Sequence, residues 1–331
     1  MSEKSRIVIL DGHTINPGDA SWEPLEALGE CVIHGRTPPE LIVERAREAR
    51  VILTSKCTLS AAVLAALPKL EYLSVLATGY NNVDIVAAGR RGIPVSNVPA
   101  YATETVAQAV FALLLELTSA VGAHAAAVRG GEWVDCPDFC FYRKTILELN
   151  GLTLGVVGYG STGQAVARIA NAFGMRVLVH AQRIPRHLGQ LPVRLVPLEE
   201  LFETADVISL NCPQTRENSG FVNAGLLARM KPSSLLINTS RGGLINEADL
   251  DRALRDGIIA GAGLDVLAHE PPRGDNPLLS APNCIITPHL AWASLAARTR
   301  LVGMAAANVA SFLAAAPVNV INGEYLPAAR G

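Results

Sequence analysis

The stretch Leu154 to Gly174, "LGVVGYGSTGQAVARIANAFG", constrains this chain more than any other. An apolar strand, Leu154 to Val157, runs directly into Gly158, Gly160 and Gly163, spaced GxGxxG. A helix with apolar Ala165, Val166, Ile169 and Phe173 follows. The first glycine permits a tight turn, the second lets backbone approach a pyrophosphate, and the third lets helix and strand pack closely. The phosphates would face unpaired amides around Ser161 and Thr162 at the helix start. Ordinary turn glycines are the alternative, and the strand before and helix after argue against it. The stretch reads as a dinucleotide-binding turn, and it commits its neighbours to a parallel sheet.

The rest of the chain keeps the same rhythm. "RIVILDG", "CVIHG", "VILTS", "LEYLSVL" and "IPVSNVP" are strand candidates in the first hundred residues, with "PPELIVERAREA" and "SAAVLAALPKL" as helices between them. A second series follows at "TLGVVG", "RVLVH", "VISLN", "SLLINTS", "IAGAGLDV" and "CIITPH". Strands alternating with helices give an α/β fold. We expect two doubly wound parallel-sheet, Rossmann-like domains. The cofactor domain, residues 99–294, carries six strands; the substrate domain is discontinuous, residues 1–98 plus 295–331, closed by a long helix in "ASLAARTRLVGMAAANVASFLAA". One long helix is expected from Glu104 to about Arg129. The irregular, aromatic-containing "GGEWVDCPDFCFYRKTILELNG" after it needs another subunit or the other domain to pack against.

Composition removes several function classes. A length of 331 residues, half of them hydrophobic, exceeds one typical core. The net charge of -2 gives no polycation for a nucleic-acid backbone, although a local basic groove stays open. The amino terminus reads as a first strand rather than a signal peptide, and "AVFALLLELTSAVGAHAAAV" is broken by Glu116 and fits a buried helix better than a membrane span. The six cysteines are irregularly spaced, so a reducing cytoplasm is the default. Cys136 and Cys140 in "CPDFC" have no second pair or properly spaced histidine, and no metal site is expected.

Reduction of a 2-keto acid by a nicotinamide needs a cation for the carboxylate, an acid for the growing alkoxide, and a partner that keeps the acid charged. The second strand series offers Arg241 in "NTSRGG", His289 in "TPHLAWAS" and Glu270 in "GLDVLAHEPP". Arginine grips a carboxylate with a fork. A glutamate beside the histidine favours the imidazolium and aims its other nitrogen at the carbonyl. From pattern alone each has a bland reading too: a surface loop charge, a capped loop histidine, a solvated acid. His13, His34, His124, His187 and His269 lack any partner pattern.

Several blocks in order resemble the D-isomer-specific 2-hydroxyacid dehydrogenase family over nearly the full length: "VLATGYNNVD", "GYGSTG", "NCPQTRENSGFVN", "INTSRGGLINEADL", "GLDVLAHEPP" and "TPHLAWAS". The resemblance implies that Arg241 binds the substrate carboxylate, that His289 is the general acid in reduction and base in oxidation, and that Glu270 pairs with His289. Amides at Ala77, Thr78 and Gly79 would help hold the carboxylate. Asp265 would meet the nicotinamide carboxamide, Thr103 would lie near the cofactor, and Pro213 would line the adenosine side, with Cys212, Thr239 and Ser240 also in the cofactor site. Lys56 matches a position near the cleft, and Trp292 is a pocket wall or a packing residue. The resemblance also implies a homodimer built from about residues 100–150; with the chain ending near residue 331, the extra regulatory domain of some phosphoglycerate dehydrogenases of the family is not expected. "DFCFY" with "HLAWA" resembles the glycerate dehydrogenase or hydroxypyruvate reductase branch, which acts on hydroxypyruvate or glyoxylate. A D-lactate or 2-ketogluconate type enzyme is the alternative within the class, and a cofactor-sensing, corepressor-like binding protein the alternative outside it.

The cofactor choice turns on "HAQRIPR", His180 to Arg186. An NAD site carries an acid at the end of the second strand, where it accepts the ribose diol and repels a 2′-phosphate. That position falls near Ala181, and no aspartate or glutamate occurs between Val177 and Val196. Gln182, Arg183 and Arg186 stand there instead. A guanidinium at Arg183 can fork onto a phosphate, so NADPH is expected over NADH, with mixed use or a merely solvated basic loop as alternatives.

Overall fold

The computed structural model describes residues 5–182 and 191–327. Arg183, Arg186 and His187 lie outside the described residues. The chain forms two units: Met1–Ala102 with Ala293–Gly331, and Thr103–Trp292. The sequence reading set these limits at 98 and 295.

The first unit is built on β1 (Arg6–Ile9), β2 (Glu30–Ile33), β3 (Val51–Thr54), β4 (Tyr72–Val75) and β5 (Val95–Ser96), in the order β2-β1-β3-β4-β5. Every pairing is parallel. The strands are short apolar runs because helices cover both faces. One core gathers Val8, Leu10, Ile52, Leu73, Val75 and Val95. The helix Leu295–Leu313, capped by Ser294 on the amide of Ala297, belongs to this unit, as does the tail after it. Asn322, with no exposed surface, clips the tail to the sheet: its Oδ1 accepts the amide of Val95 at 2.8 Å, and its Nδ2 donates to the carbonyl of Ile93 at 3.0 Å.

The second unit contains β6 (Thr153–Val157), β7 (Arg176–His180), β8 (Val193–Leu195), β9 (Val207–Leu210), β10 (Leu235–Asn238), β11 (Gly261–Leu264) and β12 (Cys284–Ile286). They lie in the order β12-β11-β10-β9-β6-β7-β8, all parallel. The sequence reading gave six strands, and the seventh is β8. Its three residues are partly exposed at the sheet edge, so no apolar run announces it. The period of two sorts side chains onto opposite faces. Val156, Val177, Val179, Val207, Leu235 and Ile237 enter one core with the helices Thr103–Ser119 and Ser161–Ala172. Val157, Leu178, Ile208, Leu210 and Leu236 enter the other. Each such buried side chain contributes about 1.5–3 kcal/mol of transfer free energy.

The single helix expected from Glu104 to Arg129 is two, Thr103–Ser119 and Val121–Arg129, bent by 57°. Ala120 between them is left-handed, with φ of 48°. The break exposes the amide of Gly122, and both oxygens of Glu116 accept it, at 3.2 and 3.1 Å. Apolar composition carries no trace of this cap. Among the described residues no single helix is long and apolar enough to cross a membrane.

Replacing Asn322 with Ala leaves the buried amide of Val95 and the carbonyl of Ile93 without partners, at a cost of about 1–3 kcal/mol. The urea midpoint should fall accordingly with the slope unchanged, and an unshifted midpoint would show that the clip contributes nothing.

Candidate active site

In the second unit the strand order reverses at β6, which pairs with both β7 and β9. In such sheets ligands bind outside the carboxyl ends at the reversal. Gly158 leaves β6 with φ of +94°, and its amide donates to the carbonyl of His180 at 2.8 Å. A Cβ there would lie 2.7 Å from the backbone of Asn211 and Cys212. One on Gly163 would lie 2.1 Å from the carbonyl oxygen of Gly158. Gly160, by contrast, faces open space at the start of the helix Ser161–Ala172, where the first backbone amides have no intrahelical acceptor. Exposed Ser161 and half-buried Thr162 begin that helix.

Two buried oxygens near this turn have no hydrogen-bond partner, Asn211 Oδ1 after β9 and Thr239 Oγ1 after β10. Buried polar atoms are almost always paired. Unpaired acceptors and donors beside a glycine turn and an open helix start therefore fit a dinucleotide. Cys212 is half-buried against the core, and burial pushes its thiol up. Exposed Pro213 offers its carbonyl to Asn218 Nδ2 at 2.8 Å. Ser240 Oγ donates to the carbonyl of Leu210 at 2.8 Å, tying the ends of β9 and β10 together. Thr103 opens the helix Thr103–Ser119, and Gln182 is an exposed residue just after β7.

Arg241, Glu270 and His289 line one recess of about 210 Å3, together with Gln214, Gly242, Gly243, Leu267 and Ala268. His289 Nδ1 is 2.6 Å from Glu270 Oε2. The other oxygen of Glu270 accepts the amide of Leu267 at 3.0 Å, so the carboxylate is held at both ends. Arg241 leaves β10 extended, with Nη1 on the carbonyl of Ser240 at 2.7 Å. Asn238, fully buried, holds that bend by donating to the carbonyl of Arg241 and accepting the amide of Ser240. Gly242 is obligatory in this turn: a Cβ would sit 1.9 Å from the carbonyl carbon of Leu267. The close approach brings the arginine loop onto the glutamate loop.

His289 has φ of 55°, a region costly for a residue with a Cβ, by about 1–3 kcal/mol. Asp265, almost fully buried, holds the chain there. Its Oδ1 accepts Thr287 Oγ1 at 2.6 Å and the amide of Leu290 at 2.8 Å, and its Oδ2 accepts the amide of Ala291 at 2.7 Å. The residue read for the nicotinamide carboxamide thus has both oxygens in the histidine turn. Asn238, Thr287 and Gln214 were not singled out in the sequence. The Asn in "NTSRGG" could have been found, since asparagine before a turn commonly bonds backbone two residues on.

In the first unit Ala77, Thr78 and Gly79 follow β4. Thr78 Oγ1 donates to the carbonyl of Val98 at 2.9 Å, and Asn97 Nδ2 donates to the carbonyl of Thr78 at 2.7 Å. Lys56 lies in a turn whose three amides, from Ser55, Lys56 and Cys57, donate to the carboxylate of Asp11. Trp292 is half-buried at the end of the second unit.

Comparison with known proteins agrees with this geometry. The family model described as "D-isomer specific 2-hydroxyacid dehydrogenase, NAD binding domain" matches residues 111–291. A hydroxypyruvate reductase of Blautia hydrogenotrophica is 45% identical over 96% of this chain and 99% of its own. A glycerate dehydrogenase of Methylorubrum extorquens is 42% identical over 86% of this chain and 88% of its own. The NADPH-dependent glyoxylate/hydroxypyruvate reductase of Sinorhizobium meliloti, solved with NADP and malonate, superposes with a TM-score of 0.81 at 31% identity, over 96% of this chain and 97% of that one. The chain belongs to the D-isomer specific 2-hydroxyacid dehydrogenase family.

Proposed function

We propose that this protein is an NAD(P)-dependent reductase of small 2-keto acids, hydroxypyruvate and glyoxylate first among them, yielding D-glycerate and glycolate. The observation that carries the reading is the imidazole of His289 bound through Nδ1 to Glu270 in the recess that also holds Arg241. That recess, of about 210 Å3, is below the roughly 300–1,000 Å3 of pockets for drug-sized ligands and suits a small acid. When bound, the nicotinamide supplies the hydride. Arg241 forks onto the substrate carboxylate. His289 Nε2 gives its proton to the keto oxygen in reduction and takes it back in oxidation, while Glu270 keeps the ring oriented. The names of the relatives support this substrate class over the lactate and 2-ketogluconate types.

The nucleotide rests on Gly158, Gly160 and Gly163, on the amides of Ser161 and Thr162, and on the unpaired Thr239 Oγ1 and Asn211 Oδ1. NADPH is preferred over NADH. The support is the missing acid after β7 and the NADP bound by the Sinorhizobium meliloti reductase. Arg183, in the sequence where the 2′-phosphate would sit, carries the preference. The enzyme works as a homodimer in the cytoplasm. Support comes from the exposed Val121, Trp133 and Tyr142, from Val134 and Phe139 at 87% and 89% exposure, and from six free cysteines. Such a run of apolar groups needs a cover, and a second copy of the chain is that cover.

Three outcomes follow. His289→Ala should lower turnover of hydroxypyruvate, followed at the nicotinamide absorbance, by about 10²- to 10⁴-fold with cofactor affinity retained. Undiminished turnover would remove His289 from the chemistry. Arg183→Ala should cut kcat/KM for NADPH about tenfold or more, the loss of a charge-assisted contact, and leave NADH nearly unchanged. A wild type that strongly favours NADH, or equal losses for both, would sink the cofactor assignment. Sedimentation should give a dimer for the wild type and a monomer for Val134→Asp/Phe139→Asp. A monomeric wild type, or an unaffected double variant, would refute that interface.

A further inference from the structure

Gln214 stands out because the mechanism leaves it without a task. It lines the recess of Arg241, Glu270 and His289, yet its amide has no hydrogen-bond partner among the described residues. The backbone around it is fixed on both sides by one residue. Asn218 Oδ1 accepts the amide of Thr215 at 2.6 Å, and Asn218 Nδ2 donates to the carbonyl of Pro213 at 2.8 Å. The same loop is tied to the arginine turn, since the amide of Gly220 donates to the carbonyl of Gly243 at 2.8 Å. Across from Gln214 lies Gly243, where a side chain would have to push the Gln214 amide aside. A Cβ there would meet Gln214 Nε2 at 2.3 Å and its Cδ at 2.7 Å. The bare glycine leaves room for the exposed Gln214 amide in the recess that Arg241 also lines.

The recess offers few other groups of this kind. Arg241 is committed to the carboxylate, His289 to the keto oxygen and Glu270 to His289, and Leu267 and Ala268 contribute apolar wall. A substrate that is more than a carboxylate and a carbonyl must place its remaining substituent against what is left. We propose that Gln214 reads that substituent, and that its amide, both donor and acceptor, selects 2-keto acids whose third carbon carries a hydroxyl over those in which it is a plain methyl. A hydroxyl needs one acceptor and one donor, and a primary amide supplies both. A site built to bond a hydroxyl rejects the analogue that lacks it far more strongly than an apolar pocket rejects an added methylene, because its polar groups are then left unpaired. This inference rests on the 2-keto acid reductase reading above and deepens it.

The test compares hydroxypyruvate, pyruvate and glyoxylate, which carry a hydroxymethyl, a methyl and a hydrogen, at saturating cofactor. Gln214→Met keeps the length of the side chain and removes the amide. Its kcat/KM for hydroxypyruvate should fall about tenfold or more, the scale of one hydrogen bond left unmade. Glyoxylate should change little, pyruvate should hold or rise, and cofactor affinity by fluorescence titration should be unaltered. Gly243→Ala retains the amide but displaces it, and should reproduce the same signature. Equal losses on all three acids, an unchanged ratio of hydroxypyruvate to pyruvate, or an effect confined to cofactor affinity would overturn the assignment. A wild type that reduces none of the three overturns the parent reading as well, whereas an active wild type with an indifferent Gln214→Met overturns this one alone.

Discussion

The constraint on which the second unit depends is that β6 is paired on both sides with parallel strands, β7 and β9. With every strand parallel, all carboxyl ends fall on one edge. The reversal of direction at β6 then opens a gap between loops that leave toward opposite faces. Gly158, Asn211, Thr239, Asp265 and His289 come from strands far apart in sequence, and each is the first, second or third residue past a strand end. The chemistry is concentrated at that edge because the parallel strands all end there.

Convergent loops still have to be held, and both units use a carboxylate for it. Asp11, just after β1, accepts the amides of Ser55, Lys56 and Cys57. Asp265, just after β11, accepts Thr287 Oγ1 and the amides of Leu290 and Ala291. Charge-assisted bonds to backbone amides are short and directional, so a single side chain fixes a whole turn. At His289 the device also offsets a left-handed backbone. Orientation of the imidazole therefore depends on two acids with separate tasks, Asp265 for the main chain and Glu270 for the ring.

Much of this was legible in the sequence where local pattern equals structure. The apolar runs became β1 to β7 and β9 to β12, and the glycine spacing marked the turn at Gly158 because steric demand leaves few alternatives there. Arg241, Glu270 and His289 were legible as residue types at strand ends, and the structure brings them into one recess. What was not legible depends on pairings that apolar pattern does not encode. The break at Ala120 is stabilised by Glu116 reaching Gly122, β8 exists because β7 offers it an edge, and Asp265 meets a turn more than twenty residues on. Gln214 was passed over because a polar residue in a loop carries no signal until Gly243 is found opposite it.

The Glu270–His289 bond acts through geometry more than through attraction. Both side chains are about a third exposed, at 34% and 27%. Water there screens the pair, and two unit charges at 4 Å attract by only about 1 kcal/mol at the dielectric of bulk water, against about 4 kcal/mol at an effective value near 20. In the free enzyme the bond thus contributes orientation more than energy. The small recess that Gln214 and Gly243 help to line therefore holds an imidazole whose direction is fixed at Nδ1.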